Sequence, residues 1–330
     1  KGEIDLYNTK PPLVIALQAV CMHFFGINTF AVRLPSILFS LLTVFILYFY
    51  AQKWFNERWL SLGCGLVLLA TIGYIRNHVA LTGDLDAVLC FFLTAGFLQG
   101  THIIINKKTS YGSMLLFSLF LILGFYSKGI AGFFHLPALF IITLVYHRRI
   151  FTQFKLYFLS IITLGICGVY YYLREQAAPG YMQVVLESEL SRVSNVVMDW
   201  QVRPFSFYFD NFLNGYLTPW IYAMPLGLAL FYKPKQYSKV ALTLIIGIVI
   251  YFLLISYPQV KLDWYDAPLY PLIALFLTIS LYHLIALLVK MEMARNTLFI
   301  VLILAAASPN FIQIIKSKIN SNQQIEALEF

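Results

Sequence analysis

The chain has 330 residues, 60% of them apolar and 12% charged, with 23 Lys and Arg against 15 Asp and Glu for a formal net charge of +8. Soluble domains carry charge at about a quarter of their positions, so this composition excludes a soluble globular protein. The surplus positive charge is spread through short loops between apolar runs and no nucleic-acid motif accompanies it, which excludes nucleic acid as its partner.

Residues 1–30 form an outer-face lead-in. A polar start is followed by Lys10-Pro11-Pro12, which opens an apolar run ending at Phe25-Gly26. Proline suits a first helical position because the N–H it lacks would be unpaired there. The run is short for a crossing and is expected at the outer interface. The chain opens on Lys1 rather than Met, and we expect it to be a fragment of a longer sequence.

About ten apolar spans follow, at 31–52, 60–76, 87–105, 112–126, 129–146, 156–173, 213–232, 238–256, 268–289 and 297–314, each near the ~20 residues a helix needs to cross a bilayer. They form a first bundle over 31–173, an outer-face loop over 174–212, a second bundle over 213–315 and a polar tail over 316–330. The expected fold is therefore an all-α polytopic membrane protein with outer-face juxtamembrane helices. Cys21, Cys64, Cys90 and Cys167 stand singly within apolar segments and are expected as small buried hydrophobes.

The loops alternate in charge. Lys53/Arg58, Lys107/Lys108, Arg148/Arg149/Lys155, Lys233/Lys235/Lys239 and Lys290/Arg295 occupy one set, with Glu57 and Glu292 as its acids. The positive-inside rule makes this set cytoplasmic. The opposite set holds Glu3, Asp5, Asp84, Asp86, Glu175, Glu187, Glu189, Asp199, Asp210, Asp263 and Asp266, mixed with Lys10, Lys128, Arg192, Arg203 and Lys261. Such a mixture on one face points to a site. The 174–212 loop is unusually long, with a surface helix expected near Ser188–Val197, and long ordered loops are usually functional.

Four elements on that face carry candidate chemistry. Lys10 at a helix start suits a phosphate, or alternatively snorkels to headgroups. Asp84 and Asp86, in Thr82-Gly83-Asp84-Leu85-Asp86, exceed what one helix cap needs, although either alone is explained by capping. Lys128, in Ser127-Lys128-Gly129, must meet water, a phosphate or a carboxylate such as Asp84. Lys261, Asp263, Tyr265 and Asp266 gather a base, a phenol and two acids before Pro268, or else form a charged turn with belt aromatics.

In this order the motifs resemble those of membrane glycosyltransferases that use polyprenyl-phosphate sugars. That superfamily, of GT-C type, holds the bacterial aminoarabinose transferases and the protein O-mannosyltransferases. The likeness runs through Lys10-Pro11-Pro12-Leu13, Ala31-Val32-Arg33-Leu34-Pro35, Asp86, Lys128-Gly129, Leu136-Pro137 and Glu189-Leu190-Ser191-Arg192. It continues through Arg203-Pro204-Phe205, Leu217-Thr218-Pro219-Trp220, Lys261-Leu262, Tyr265, Pro268 and Tyr270-Pro271.

The resemblance implies an outer-face (periplasmic) cavity in a bacterial inner membrane. Lys10, Arg192, Lys261 and Tyr265 would hold the donor phosphate there, with Asp86 and Glu189 as catalytic carboxylates and Lys128 and Asp84 in support. Glu189 stands where the family has a metal-holding histidine, and Thr9 where it has a glutamate. No metal site is therefore assigned and no cofactor is certain, although a divalent metal stays possible. The family's acidic pair is expected about thirty residues before the lysine, so the main base is expected upstream of Lys1 and the fragment inactive without it. Implied partners are a polyprenyl-phosphate-linked sugar, a lipid, glycan or protein acceptor, and membrane lipids. The alternative reading is a non-enzymatic transporter or lipid-carrier flippase.

Overall fold

The computed structural model describes residues 6, 8–194, 202–231 and 235–316. Twelve α-helices are described: α1 Leu13–Phe25, α2 Thr29–Phe55, α3 Arg58–Leu69, α4 Asp86–Asn106, α5 Tyr111–Lys128, α6 Leu136–Tyr146, α7 Phe154–Ala177, α8 Tyr181–Ser194, α9 Phe207–Asn211, α10 Lys235–Ser256, α11 Leu269–Leu288 and α12 Glu292–Lys316. Among the described residues, extended pairing is confined to one antiparallel bridge, Val202 with Val260. A helix satisfies its backbone N–H and C=O groups internally, which is what a lipid surrounding demands of a crossing segment.

Among the described residues, seven helices are long and apolar enough to cross a membrane, and they coincide with seven of the ten expected spans. The other three expectations, 60–76, 129–146 and 213–232, fall on shorter apolar helices at Arg58–Leu69, Leu136–Tyr146 and Trp220–Phe231. Each of the three is interrupted. After Leu69 the sequence turns polar at Arg76-Asn77-His78, and residues 70–85 run as turns. Their backbone is met by protein instead: Gly73 N donates to the Tyr216 carbonyl at 2.9 Å, and the Asn310 amide donates to the Ala70 carbonyl at 2.8 Å. Irregular backbone within a membrane bundle is tolerated where protein satisfies it in this way. At 129–146 the chain passes through a 3-10 turn, Gly129–Phe133, before α6 begins at Leu136-Pro137. Trp220–Phe231 is a 3-10 stretch with Pro225 inside it.

Two helices sit at the centre. α4 is 89% buried across its apolar window and the α11 span 72%, whereas that of α7 is only 17% buried. α4 packs on α2, α5 and α6, while α11 packs on α3, α10 and Trp220–Phe231. The peripheral helices leave Phe45, Leu115, Phe158, Ile161 and Leu164 exposed, as a lipid-facing surface requires. Trp220 is buried in the core at 5% exposure.

One backbone contact shapes the site. Gly132 lies against Gly124 and Phe125 of α5, and a methyl group built at Gly132 would stand 2.3 Å from the Gly124 carbonyl carbon. That distance forbids any side chain, so the 3-10 turn is clamped onto the end of α5. Gly129, at φ +68° and ψ −138°, takes a backbone conformation open chiefly to glycine and terminates α5 directly after Lys128.

Candidate active site

Four of the charged or phenolic groups singled out in the sequence meet at one cavity of about 130 Å³, lined by Lys10, Asp86, Lys128 and Tyr265. Leu89, Ile130, Phe134, Tyr251 and Ile255 make its apolar wall. Separate elements deliver the polar groups. Asp86 opens α4, where the helix dipole favours a carboxylate. Lys128 closes α5, where the dipole favours a cation. Tyr265 comes from the 3-10 turn Asp263–Asp266 ahead of α11. Lys10 precedes α1, and its carbonyl accepts a bond from the Tyr170 hydroxyl of α7 at 3.3 Å. Pro11 approaches Gly129, which brings the Lys10 segment beside the end of α5.

The Lys128 ammonium donates to the Asp86 carboxylate at 2.5 Å, with side-chain exposures of 10% and 7%. The same ammonium lies 4.9 Å from the centre of the Tyr265 ring, a cation–π distance. The acid that pairs with Lys128 is thus Asp86 and not Asp84. Ser127 caps the preceding turn through a 2.6 Å bond to the Gly124 carbonyl.

Asp84 stands beside the cavity, outside its lining. Its carboxylate accepts from the Thr82 hydroxyl and pairs with His78 at 3.3 Å. Partial burial alone would raise the Asp84 pKa, but the His78 and Thr82 bonds hold the carboxyl below its ordinary value. The bond to Asp84 raises the His78 imidazole above its ordinary value. His78 also stacks on Trp264 at 3.9 Å between ring centres, and it adopts a left-handed φ of +62°. Gly83 and Asp84 are fixed from outside. The Gln18 amide of α1 donates to the Gly83 carbonyl at 2.5 Å, and Ser36 of α2 to the Asp84 carbonyl at 3.1 Å.

Lys261 lies behind the wall. Its ammonium donates to the carbonyls of Arg203, at 3.0 Å, and Pro258, and burial pushes its pKa below the ordinary value. Together with Arg203 N on the Gln259 carbonyl, this staples residues 202–203 to the 257–262 segment. Glu189 and Arg192 belong to α8, and their side chains lie outside the described residues.

Sequence reasoning missed the Arg76–Asp266 pair, because Arg76 was expected at the end of a span. Its guanidinium donates to the Asp266 carboxylate and to the Asp263 carbonyl, and lies 4.3 Å from the Tyr216 ring centre. The Tyr270 hydroxyl donates to the other Asp266 oxygen at 2.7 Å. An arginine embedded in an apolar run, with an aspartate just before another, was the available signal. Among the described residues, no three His, Cys, Asp or Glu side chains come together in a group able to hold a metal.

Comparison with known proteins points in one direction. The family model described as dolichyl-phosphate-mannose-protein mannosyltransferase matches residues 9–172. An undecaprenyl phosphate-alpha-4-amino-4-deoxy-L-arabinose arabinosyl transferase 2 of Proteus mirabilis is 24% identical over 271 residues, covering 79% of this chain and 47% of that protein. The corresponding transferase of Aeromonas hydrophila is 24% identical over 288 residues, covering 84% and 51%. The chain therefore spans about half the length of the curated relatives it matches. Its fold is similar to the crystal structure of ArnT from Cupriavidus metallidurans bound to undecaprenyl phosphate. The TM-score there is 0.69 at 18% identity, covering 94% of this chain and 61% of that one.

Proposed function

For a chain that belongs to the GT-C superfamily of membrane glycosyltransferases, of the aminoarabinose transferase type, we propose transfer of a sugar from a polyprenyl-phosphate donor to a lipid, glycan or protein acceptor. The observation that carries this reading is the convergence of Lys10, Asp86, Lys128 and Tyr265 on one cavity whose other wall is apolar. A lipid-linked sugar phosphate has that same division, with a charged head and a hydrocarbon tail. The charged groups would meet the head, and the tail would leave along the apolar wall.

In the proposed reaction an acceptor oxygen forms a bond to the anomeric carbon while the bond from that carbon to the phosphate oxygen breaks. Negative charge grows on the departing phosphate. A cation fixed beside it lowers the barrier because it needs no reorganisation as the charge develops. Lys10 fills that role, and the Tyr265 hydroxyl donates to a phosphate oxygen. Asp86, committed to Lys128, is a poor base and serves to orient the sugar or the acceptor. Lys261, tied to two carbonyls, shapes the wall and does not meet the phosphate.

The exoplasmic side is the proposed face of reaction. Asp86 and the basic loop at Lys107 and Lys108 bracket α4, so the cavity lies at the end opposite to loops that the positive-inside rule retains in the cytoplasm. The test is to incubate the complete protein with a polyprenyl-phosphate sugar labelled in the sugar. Label is expected to leave the lipid when acceptor is present. Retention of all label on the carrier, with the protein folded and the donor bound, would overturn the assignment.

A further inference from the structure

A second lipid-shaped feature lies at the opposite end of α4 and α5 from the active-site cavity. Two hollows of about 240 Å³ each, between α4, α5, α6 and α7, share Met114, Phe117, Leu136 and Leu156, and so form one continuous apolar slot. Its rim is basic. Lys107 and Lys108 follow α4, and Arg148 and Arg149 follow α6; all four are exposed. The Lys155 ammonium donates to the Thr109 carbonyl and lies 5.5 Å from the Tyr111 ring centre, which ties the two loops together.

No carboxylate balances this rim from nearby sequence. Between Asp86 and Glu175 the chain contains no Asp or Glu. Polar atoms with nothing to bond among the described residues occur in the slot at Thr163 and, next to its lining residues in sequence, at His147 and Gln153. His147, 8% exposed, lies in sequence between the wall residues Thr143 and Ile150, and its Nε2 has no partner. The same holds for the buried Oε1 of Gln153 and for the Thr163 hydroxyl, and Thr163 itself lines the slot. Burial, with the Lys107 ammonium adding to it, holds the His147 imidazole below its ordinary value. Buried polar groups without partners cost free energy unless something supplies the missing bonds.

We propose that this slot holds an anionic phospholipid, its phosphate among Lys107, Lys108 and Arg149 and one acyl chain along Met114, Phe117 and Leu156. Charge complementarity selects the anionic class, because basic pockets between membrane helices on the cytoplasmic side favour such headgroups. The unpartnered Thr163 hydroxyl inside the slot, and His147 and Gln153 beside its lining residues in sequence, would take the glycerol and ester oxygens of the lipid. The site is separate from the donor cavity and stands whether or not the chain is a transferase.

The test is native mass spectrometry of the detergent-released protein with phosphatidylglycerol or phosphatidylcholine of identical acyl chains. Phosphatidylglycerol is expected to be retained at least ~10-fold more strongly, from the several basic groups at the rim. A Lys107→Gln, Lys108→Gln, Arg149→Gln variant should lose that preference while keeping its unfolding temperature. Thr163→Phe, which fills the slot, should lower retention of both lipids. Lys10→Ala should leave phosphatidylglycerol retention unchanged. Equal retention of the two lipids by the unaltered protein would refute the site even if a variant fails to fold. So would a preference that survives the triple substitution or disappears with Lys10→Ala.

Discussion

Two buried ion pairs lie near each other in this molecule, and their surroundings separate them. Arg76–Asp266 lies outside the cavity lining, although the guanidinium Nε and Nη1 have no hydrogen-bond partner among the described residues. Asp266 is fully buried, both its oxygens are taken by Arg76 and Tyr270, and the guanidinium is further held by the Asp263 carbonyl and the Tyr216 ring. Lys128–Asp86 is almost as deeply placed, yet both residues line a cavity and the ammonium faces an aromatic ring. A pair set away from that cavity joins elements, here the 70–85 turns to the start of α11. A pair with an open side still has capacity for a ligand.

The largest expected effect tests the pair outside the cavity. Asp266→Ala leaves a charged guanidinium buried without its carboxylate and should destabilise the fold by ~3–5 kcal/mol, read by thermal or denaturant unfolding in detergent. Asp86→Ala should cost clearly less, because the freed ammonium opens onto the cavity and its water. Equal losses would erase the distinction between the pairs.

Next in size, Lys10→Ala should lower sugar transfer by ~10²-fold with the unfolding temperature unchanged, as for loss of one preorganised charge partner. Normal transfer by this variant would remove the phosphate assignment. Tyr265→Phe keeps the ring facing Lys128 and removes only the hydroxyl, so transfer should fall ~5-fold, about one hydrogen bond. An unchanged rate would leave Tyr265 as a cation–π wall.

The smallest effect concerns the rim outside both pairs. The His78 value is raised, so its contribution to stability is complete below the unfolded value near 6.5 and is lost as pH rises through the folded one. The Asp84 value is lowered, so its share is present above the unfolded value near 3.8 and is lost as pH falls through the folded one. The difference in unfolding temperature between the native chain and His78→Gln should therefore peak between these limits. It should vanish at alkaline pH and shrink with added salt, since both side chains are more than a third exposed.

Much of this was legible in the sequence because membrane insertion simplifies the physics. Length and hydropathy alone locate α2, α4, α5, α7, α10, α11 and α12, since lipid offers a crossing segment few alternatives to a helix. The breaks after Leu69, at 129–135 and at 213–219 were not legible, because they depend on distant partners such as Tyr216 and Asn310. Lys10, Asp86, Lys128 and Tyr265 stand out because charge and aromatic hydroxyls are rare beside such apolar runs. Which acid Lys128 would choose was open: one turn of α4 decides for Asp86 and leaves Asp84 to His78. Lys261 looked equally suited to a phosphate, and only the three-dimensional course of residues 202–203 shows its ammonium occupied.

The glycine-on-glycine contact between Gly132 and Gly124 has a bearing on how this family of pockets could diversify. Ile130 and Ala131 form part of the cavity wall, and the turn that carries them rests directly on the main chain of α5. With no side chain in that seam to trim, the backbone of the turn cannot retreat, and any bulkier residue at 132 would drive it inward. Room for a different ligand has to be made where side chains set the boundary, at Ile130 or, across the cavity, at Tyr251, Leu254 and Ile255 of α10.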